Sequence, residues 1–229
     1  MSSILFIAAD PREFTGLLSH WEKVAPLHLP VHFARTGRWK GREVFAIANG
    51  AGAERAFAAV LVAPKASAIC NIGFCGALEK SLEIGDVVVA TEILNGAQSL
   101  AVQVPEAVPH ADTVKVASID HVAQTASEKS NLRATGASIV EMESAGVARA
   151  AEDLNVPFYC IRAVSDLADE DFANDFNAAL TPDGRFSILR LLTGAVSSPQ
   201  VKLKELLRLQ KRTTLASQKL GDFLAATTF

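Results

Sequence analysis

The strongest constraint on what this chain can fold into is an alternation. Runs rich in Val, Ile and Ala, "SILFIAA", "REVFAIANG", "ASAICNIGF", "DVVVATEIL", "ASIVEM" and "PFYCIRAVSD", take turns with Ala-rich stretches of helical period such as "GAERAFAAVLVA" and "SAGVARAAEDLN". Such runs are too continuous for a sheet with one wet face, so they predict strands covered on both sides. The expected fold is α/β: three layers, α/β/α, around a twisted mixed central sheet. "EFTGLLSHWEKV" reads as a further helix, and residues 99–111, with two prolines, as a loop. In open α/β sheets ligands gather at the C-terminal ends of strands, so those endings are where chemistry is expected.

With 229 residues, 49% of them hydrophobic, the chain suits one large core. The expected organisation is a catalytic domain over residues 1–180 and a helical, basic extension over 181–229 packed on or near it. After the turn signal "TPDG", "FSILRLLTGAV" and "VKLKELLRLQKRTTLASQKLGDFL" read as helices joined by "SSPQ". The second places Leu203, Leu206, Leu207, Leu220, Phe223 and Leu224 on an apolar stripe. Between Arg185 and Leu220 eight Lys or Arg stand against one acid, Glu205, in a chain of net charge −3. That segment is either a solvated helix face or a contact for something anionic, a membrane surface included. No apolar run approaches the roughly 20 residues that span a bilayer, and the start lacks a basic leader, so the cytoplasm is the expected compartment. Cys70, Cys75 and Cys160 are odd in number, sit among apolar residues and form no C-x-x-C pair. They read as reduced core thiols.

Acids stand at the ends of three apolar runs. Glu13 follows the first, Glu141 and Glu143 follow "ASIV", and Asp166 follows "YCIRAV". If these strands share a sheet, the carboxylates share a cleft and shift one another's proton affinity, which suits acid/base work. Each also has an ordinary explanation: Glu13 as a first-turn helix acid, Glu143 as a partner of Arg162, Asp166 as a helix N-cap.

"IVEMESAGVARAAEDLNVPFYCIRAVSDLADED" resembles the late signature blocks of the purine nucleoside phosphorylase and methylthioadenosine/S-adenosylhomocysteine nucleosidase superfamily. "GFCGAL" with "LEIGDVVVA", and "ILFIAADPREFTGLL", resemble its central glycine block and its first strand and helix. The resemblance implies roles for this chain's residues. Glu143 would bind the ribose hydroxyls, with Met142 against the sugar and Glu141 beside them. Asp166 would protonate the imidazole-ring nitrogen of a purine, with Ser165 orienting it. Glu13 would activate the attacking water, and Arg162 would hold the carboxylates. Gly73 and Phe74 belong to the glycine block, and Val122, Ala123 and Phe158 are expected as apolar walls for the base.

The implied activity is cleavage of the N-glycosidic bond of an adenine-type nucleoside by an N-ribosyl hydrolase. Phosphorolysis stays open, with phosphate as co-substrate. Phosphorylases of this family carry an arginine shortly before the glycine block and a serine within it, where "SAICNIGFCGAL" has no arginine and presents Phe74. Arg35, Arg38 and Arg55 are the substitutes available to an anion. The family's insert after "VVVATEIL" is short here, and the basic tail extends further than in simple nucleosidases. Both features also resemble the hopanoid-associated phosphorylase branch, which implies a lipid-linked adenosine such as adenosylhopane as an alternative substrate. A catalytically silent nucleoside-binding member is the rival class. No metal or organic cofactor is implied, and a homodimer is expected. Nucleic-acid binding is disfavoured, since the basic stretch lacks interleaved aromatics. "GAGAER" is not a dinucleotide-binding fingerprint.

Overall fold

The computed structural model describes residues 3–193 and 199–229. Its strands are β1 (Ser3–Ala8), β2 (Glu22–Pro26), β3 (Phe33–Trp39), β4 (Arg42–Ala48), β5 (Ala68–Ala77), β6 (Val87–Asn95), β7 (Gln98–Ala101), β8 (Thr113–Ser118), β9 (Ile139–Glu141) and β10 (Phe158–Asp166). They form one mixed sheet in the order β10-β6-β8-β9-β5-β1-β4-β3-β2, with β7 on β6. Because β10 also pairs with β5, five strands close into a ring, and β1, β4, β3 and β2 extend from it as an open wing. The helices are α1 (Thr15–Leu18), α2 (Ala53–Val62), α3 (Ala126–Arg133), α4 (Ser144–Leu154), α5 (Phe176–Ala179), α6 (Ile188–Thr193) and α7 (Pro199–Ala226).

The two-residue period of a strand sorts the layers. Leu5 and Ile7 of β1, with Phe45 and Ile47 of β4, share a buried cluster with Ala56 and Ala59 of α2 and Val147 and Ala148 of α4. Ile4 and Phe6, with Val44 and Ala46, share the opposite cluster with Leu17 of α1 and Leu220, Phe223 and Leu224 of α7. The expected mixed sheet covered on both faces is therefore what forms. Asn155 ends α4 in the left-handed region, φ 52°, a conformation its short polar side chain tolerates.

Glycines let α1 and α7 touch backbone to backbone. A Cβ on Gly221 would enter the backbone of Gly16, and one on Gly16 would meet the Ser217 carbonyl. Gly221→Ala is expected to destabilise by about 1–3 kcal/mol and lower the unfolding midpoint by several degrees. A midpoint unchanged in a thermal melt would show that α7 packs loosely on α1.

Several expectations need correction. "EFTGLLSHWEKV" holds only the end of a 3-10 turn (Pro11–Phe14) and α1 before β2 begins, because residues 22–26 pair antiparallel with β3. Residues 98–101 form β7 against β6, so only the remainder of the expected loop is irregular. The apolar stripe of α7 fails in its first half, where Leu203 and Leu207 are exposed and Glu205 is the buried residue. Its carboxylate accepts from the Ala173 and Asn174 amides, both at 2.8 Å, and from the Asn174 carboxamide at 2.6 Å. Arg212 and Arg208 pair with Glu170, which commits two of the tail's cations to the fold. Of the expected join "SSPQ", residues 197 and 198 lie outside the described residues, as do residues 194–196 of the helix expected before it, while Pro199 and Gln200 already belong to α7. No helix among the described residues is long and apolar enough to cross a membrane.

Candidate active site

The end of β1, the middle of β5 and of β10 and the end of β9 come together where the wing joins the ring, and each delivers part of one cluster. Glu13 comes from the 3-10 turn after β1, started by Asp10, whose side chain accepts from the Arg12 amide. The Glu13 carboxylate accepts from the amides of Ala9 at 2.9 Å, Asp10 at 2.8 Å and Phe74 at 2.7 Å. The helix-start reading of Glu13 thus holds, its side chain closing a capping box on the Asp10 amide. Gly73 is needed there for its lack of a side chain, since a Cβ would collide with the Glu13 carboxylate and the Arg162 guanidinium.

Arg162 is fully buried on β10. Its Nη2 bonds the Asn71 carboxamide oxygen and Glu141, and stands 3.7 Å from Glu143. Nη1 finds no hydrogen-bond partner among the described residues. Burial works against the arginine's charge, but Glu141, Glu143 and Glu13 outweigh it and raise its pKa. Glu143, at the N-cap of α4, accepts the Gly52 amide at 3.2 Å. Burial and the Glu141 charge push its carboxyl up to about 8 against the pull of Arg162. Met142 is buried between the two glutamates.

Glu141 does not match its expected place among substrate-binding residues. One oxygen accepts the amides of Glu143 and Ser144, both at 2.9 Å, and the Arg162 guanidinium; the other takes the Ser144 hydroxyl at 2.5 Å. These bonds anchor the start of α4 and the arginine.

Asp166 closes β10 after a register shift between Val164 and Asp166, the kind of irregularity that re-aims a side chain at a strand end. Its N-cap reading fails, because a turn rather than a helix follows. Ser165 Oγ lies 3.1 Å from Asp166 Oδ2 and 3.2 Å from the Cys75 carbonyl. Burial raises the Asp166 carboxyl even though Lys129 and Ser165 pull it down.

Lys129 is the residue that sequence reasoning missed. It lies one turn into α3, capped by Thr125, and is fully buried. Its Nζ donates to Asp166 Oδ1 at 2.5 Å and to the Leu167 carbonyl at 2.7 Å. "TASEKSNLR" carries no apolar signal of burial, and the ion partner is 37 residues away in sequence.

The expected base walls divide. Ala123 shares a small buried cluster with Val140, and Val140 and Asp166 Oδ1 both border Gly76. Val122 is half-buried, and its amide and carbonyl are bonded by the Asn177 carboxamide at 2.8 and 3.0 Å. Phe158 is a correction: it starts β10 opposite Ile69 and sits in the core cluster, about 26 Å along the strand from Asp166 at strand rise. The substitute arginines are engaged as well. Arg55 donates to the Asn49 carbonyl at 2.6 Å, Arg35 bonds the Ala34 carbonyl, and Arg38 bonds Gly41 at the β3–β4 turn. The three cysteines are buried, and desolvation raises their thiols, that of Cys160 to about 12. No group of three His, Cys, Asp or Glu among the described residues is placed to hold a metal ion.

The model of the Phosphorylase superfamily matches residues 3–123 and 108–185 of this chain. A 5′-methylthioadenosine/S-adenosylhomocysteine nucleosidase of Bacillus licheniformis is 27% identical over 226 residues, covering 82% of this chain and 97% of the relative. The corresponding nucleosidase of Neisseria meningitidis, solved with methylthio-immucillin-A, superposes with a TM-score of 0.74 at 20% identity, over 99% of this chain and 98% of that one. A futalosine hydrolase mutant of Helicobacter pylori superposes at 0.71 with 17% identity, over 99% and 98%. At those identities the two structures establish the shared fold.

Proposed function

The chain belongs to the Phosphorylase superfamily, and within it we propose that the protein is a nucleosidase that hydrolyses the N-glycosidic bond of a 5′-substituted adenosine. The observation that carries this reading is the Glu13 carboxylate seated on three backbone amides between β1 and β5. Converging amides of this sort are the natural seat of an anion. With a carboxylate of the chain already there, a phosphate dianion would meet a like charge, while a water molecule would meet a base. Methylthioadenosine and S-adenosylhomocysteine, named for the Bacillus licheniformis relative, are the substrates to try first.

The geometry supports the following course of hydrolysis. Asp166 gives its carboxyl proton to the imidazole-ring nitrogen of the purine. The bond from the sugar's anomeric carbon to the base breaks, and its electron pair leaves with the base. Positive charge grows on the ribose, whose hydroxyls Glu143 is free to bond, its protein contacts being the Gly52 amide and the Arg162 guanidinium 3.7 Å away; a group placed where charge develops lowers the barrier. Water adds to the anomeric carbon and gives its proton to Glu13. The same reading includes a cytoplasmic homodimer.

The test is adenine release from methylthioadenosine and S-adenosylhomocysteine with and without phosphate, with chromatography of the sugar. Release without phosphate, giving the free sugar, is expected. Glu13→Gln should lower that release by roughly 100-fold or more, the scale of a lost general base. Strict phosphate dependence, with a sugar phosphate as product, would sink the hydrolytic reading.

A further inference from the structure

The pair formed by Lys129 and Asp166 is not accounted for by fold stability. A buried ammonium is costly even when paired, and an apolar side chain of similar length would fill the space without that cost. Lys129 is nonetheless fully buried, with Asp166 Oδ1 and the Leu167 carbonyl as its hydrogen-bond partners and the Phe172 ring 5.2 Å away. The segment after β10 fastens α3 in place: the Asp171 carboxylate accepts the Ala126 amide at 2.7 Å, and the Phe172 amide donates to the Gln124 carbonyl at 2.9 Å. Both ends of the pair are thus held by the same turn.

We propose that Lys129 is a positioning residue for Asp166: its ammonium fixes the orientation of the carboxyl and sets the pH range over which Asp166 can donate a proton. This rests on the reading of Asp166 as the general acid. While Asp166 holds its proton, Lys129 is a buried cation beside a neutral group. Once the proton has passed to the purine nitrogen, the carboxylate and the ammonium form a neutral pair. The cation therefore favours the state after transfer over the state before it, which is what a barrier-lowering contact must do. The cost is a narrower pH range, because the cation also makes Asp166 lose its proton earlier.

The other groups facing Asp166 are few. Ser165 on its own strand lowers its pKa, Glu170 in the following turn raises it, and Cys75 across β5 is a buried thiol. Arg212 of α7 feels the Asp166 charge but is bonded to Glu170. Lys129 is the cation in direct contact with the acid.

The test is the pH profile of kcat/KM for adenine release from methylthioadenosine by the full chain carrying K129M, K129Q or K129R. Without the cation Asp166 keeps its proton to higher pH. The alkaline fall in rate is expected about one pH unit or more higher in K129M and K129Q, on a plateau roughly tenfold lower or less. K129R retains the charge and is expected to keep the alkaline fall where the unsubstituted protein has it. A fall that stays in place in K129M and K129Q, whatever happens to the plateau, overturns the proposal and makes Lys129 a structural residue. Should K129M not fold, K129Q reads the same limb, since its amide can still donate to Asp166. D166N separates the two levels. If D166N keeps its turnover, the reading of Asp166 itself has failed; if D166N is dead while the Lys129 variants keep the limb, only the Lys129 proposal has.

Discussion

Asp166→Asn is expected to lower kcat for adenine release by roughly 100-fold to 10,000-fold, the range a positioned general acid contributes. Binding of a nucleoside analogue should change only a few-fold. The substitution keeps the shape of the side chain, and the amide oxygen can still accept from Lys129, so the ammonium keeps its hydrogen bond while losing its counter-charge. What is lost is a proton that can be given away. The pH profile separates this from a general disturbance. Burial raises both Glu13 and Asp166 above ordinary carboxylate values. Glu13 must be ionised to take a proton from water, so the rate should climb as pH rises through its pKa. Asp166 must be protonated to assist the base, so the rate should fall as pH rises through its own. D166N should abolish the alkaline limb and leave the acid limb standing. Turnover and both limbs unchanged in D166N would remove Asp166 from the mechanism.

The second large effect is on stability. Arg162→Met is expected to destabilise by about 3–5 kcal/mol, the cost of breaking a buried ion pair from one side. The unfolding midpoint should drop by roughly 10 °C for a chain of this size. The reason lies in the count of carboxylates: Glu141 bonds the guanidinium, Glu143 stands 3.7 Å away, and Glu13 feels its charge. Methionine fills much of the volume and carries none of the charge. The loss should also depend on pH. A carboxyl whose folded pKa is raised binds its proton more tightly in the folded chain than in the unfolded one. Its stabilising contribution is complete below the unfolded value of about 4.5 and is lost as pH rises through the folded value. Removing Arg162 raises Glu143 and Glu13 further, so R162M should melt closest to the unsubstituted protein near about pH 5 and furthest from it above about pH 8. Melts that differ by the same amount across that range would show that packing, not charge, is what Arg162 supplies.

The fold was legible because the strands are short, apolar and separated by clear helical periods. "SILFIA", "REVFAIA", "AICNIGFCGA" and "FYCIRAVSD" each became a strand. Closure of the sheet was not legible, since pairing of β10 with both β5 and β6 is long-range and leaves no local mark. The misplacement of Phe158 was avoidable. It shares a strand with Asp166 but stands eight positions before it, and that count places it at the other end of the sheet. Glu205 and Lys129 were not avoidable, because a charged residue in a polar helix reads as solvated unless its distant partner is known.

The sequence by itself determined the α/β architecture and which strand ends carry Glu13, Glu143 and Asp166, because periodicity and order along the chain are local properties. Only the tertiary structure decided what each charge is paired with. It turned Glu141 inward to Arg162 and the start of α4, seated Glu13 on three amides, and set Lys129 against Asp166. Those pairings depend on distance and burial between segments far apart in the chain. Distance and burial, more than residue identity, fix the energy of a charge and hence what chemistry it can do.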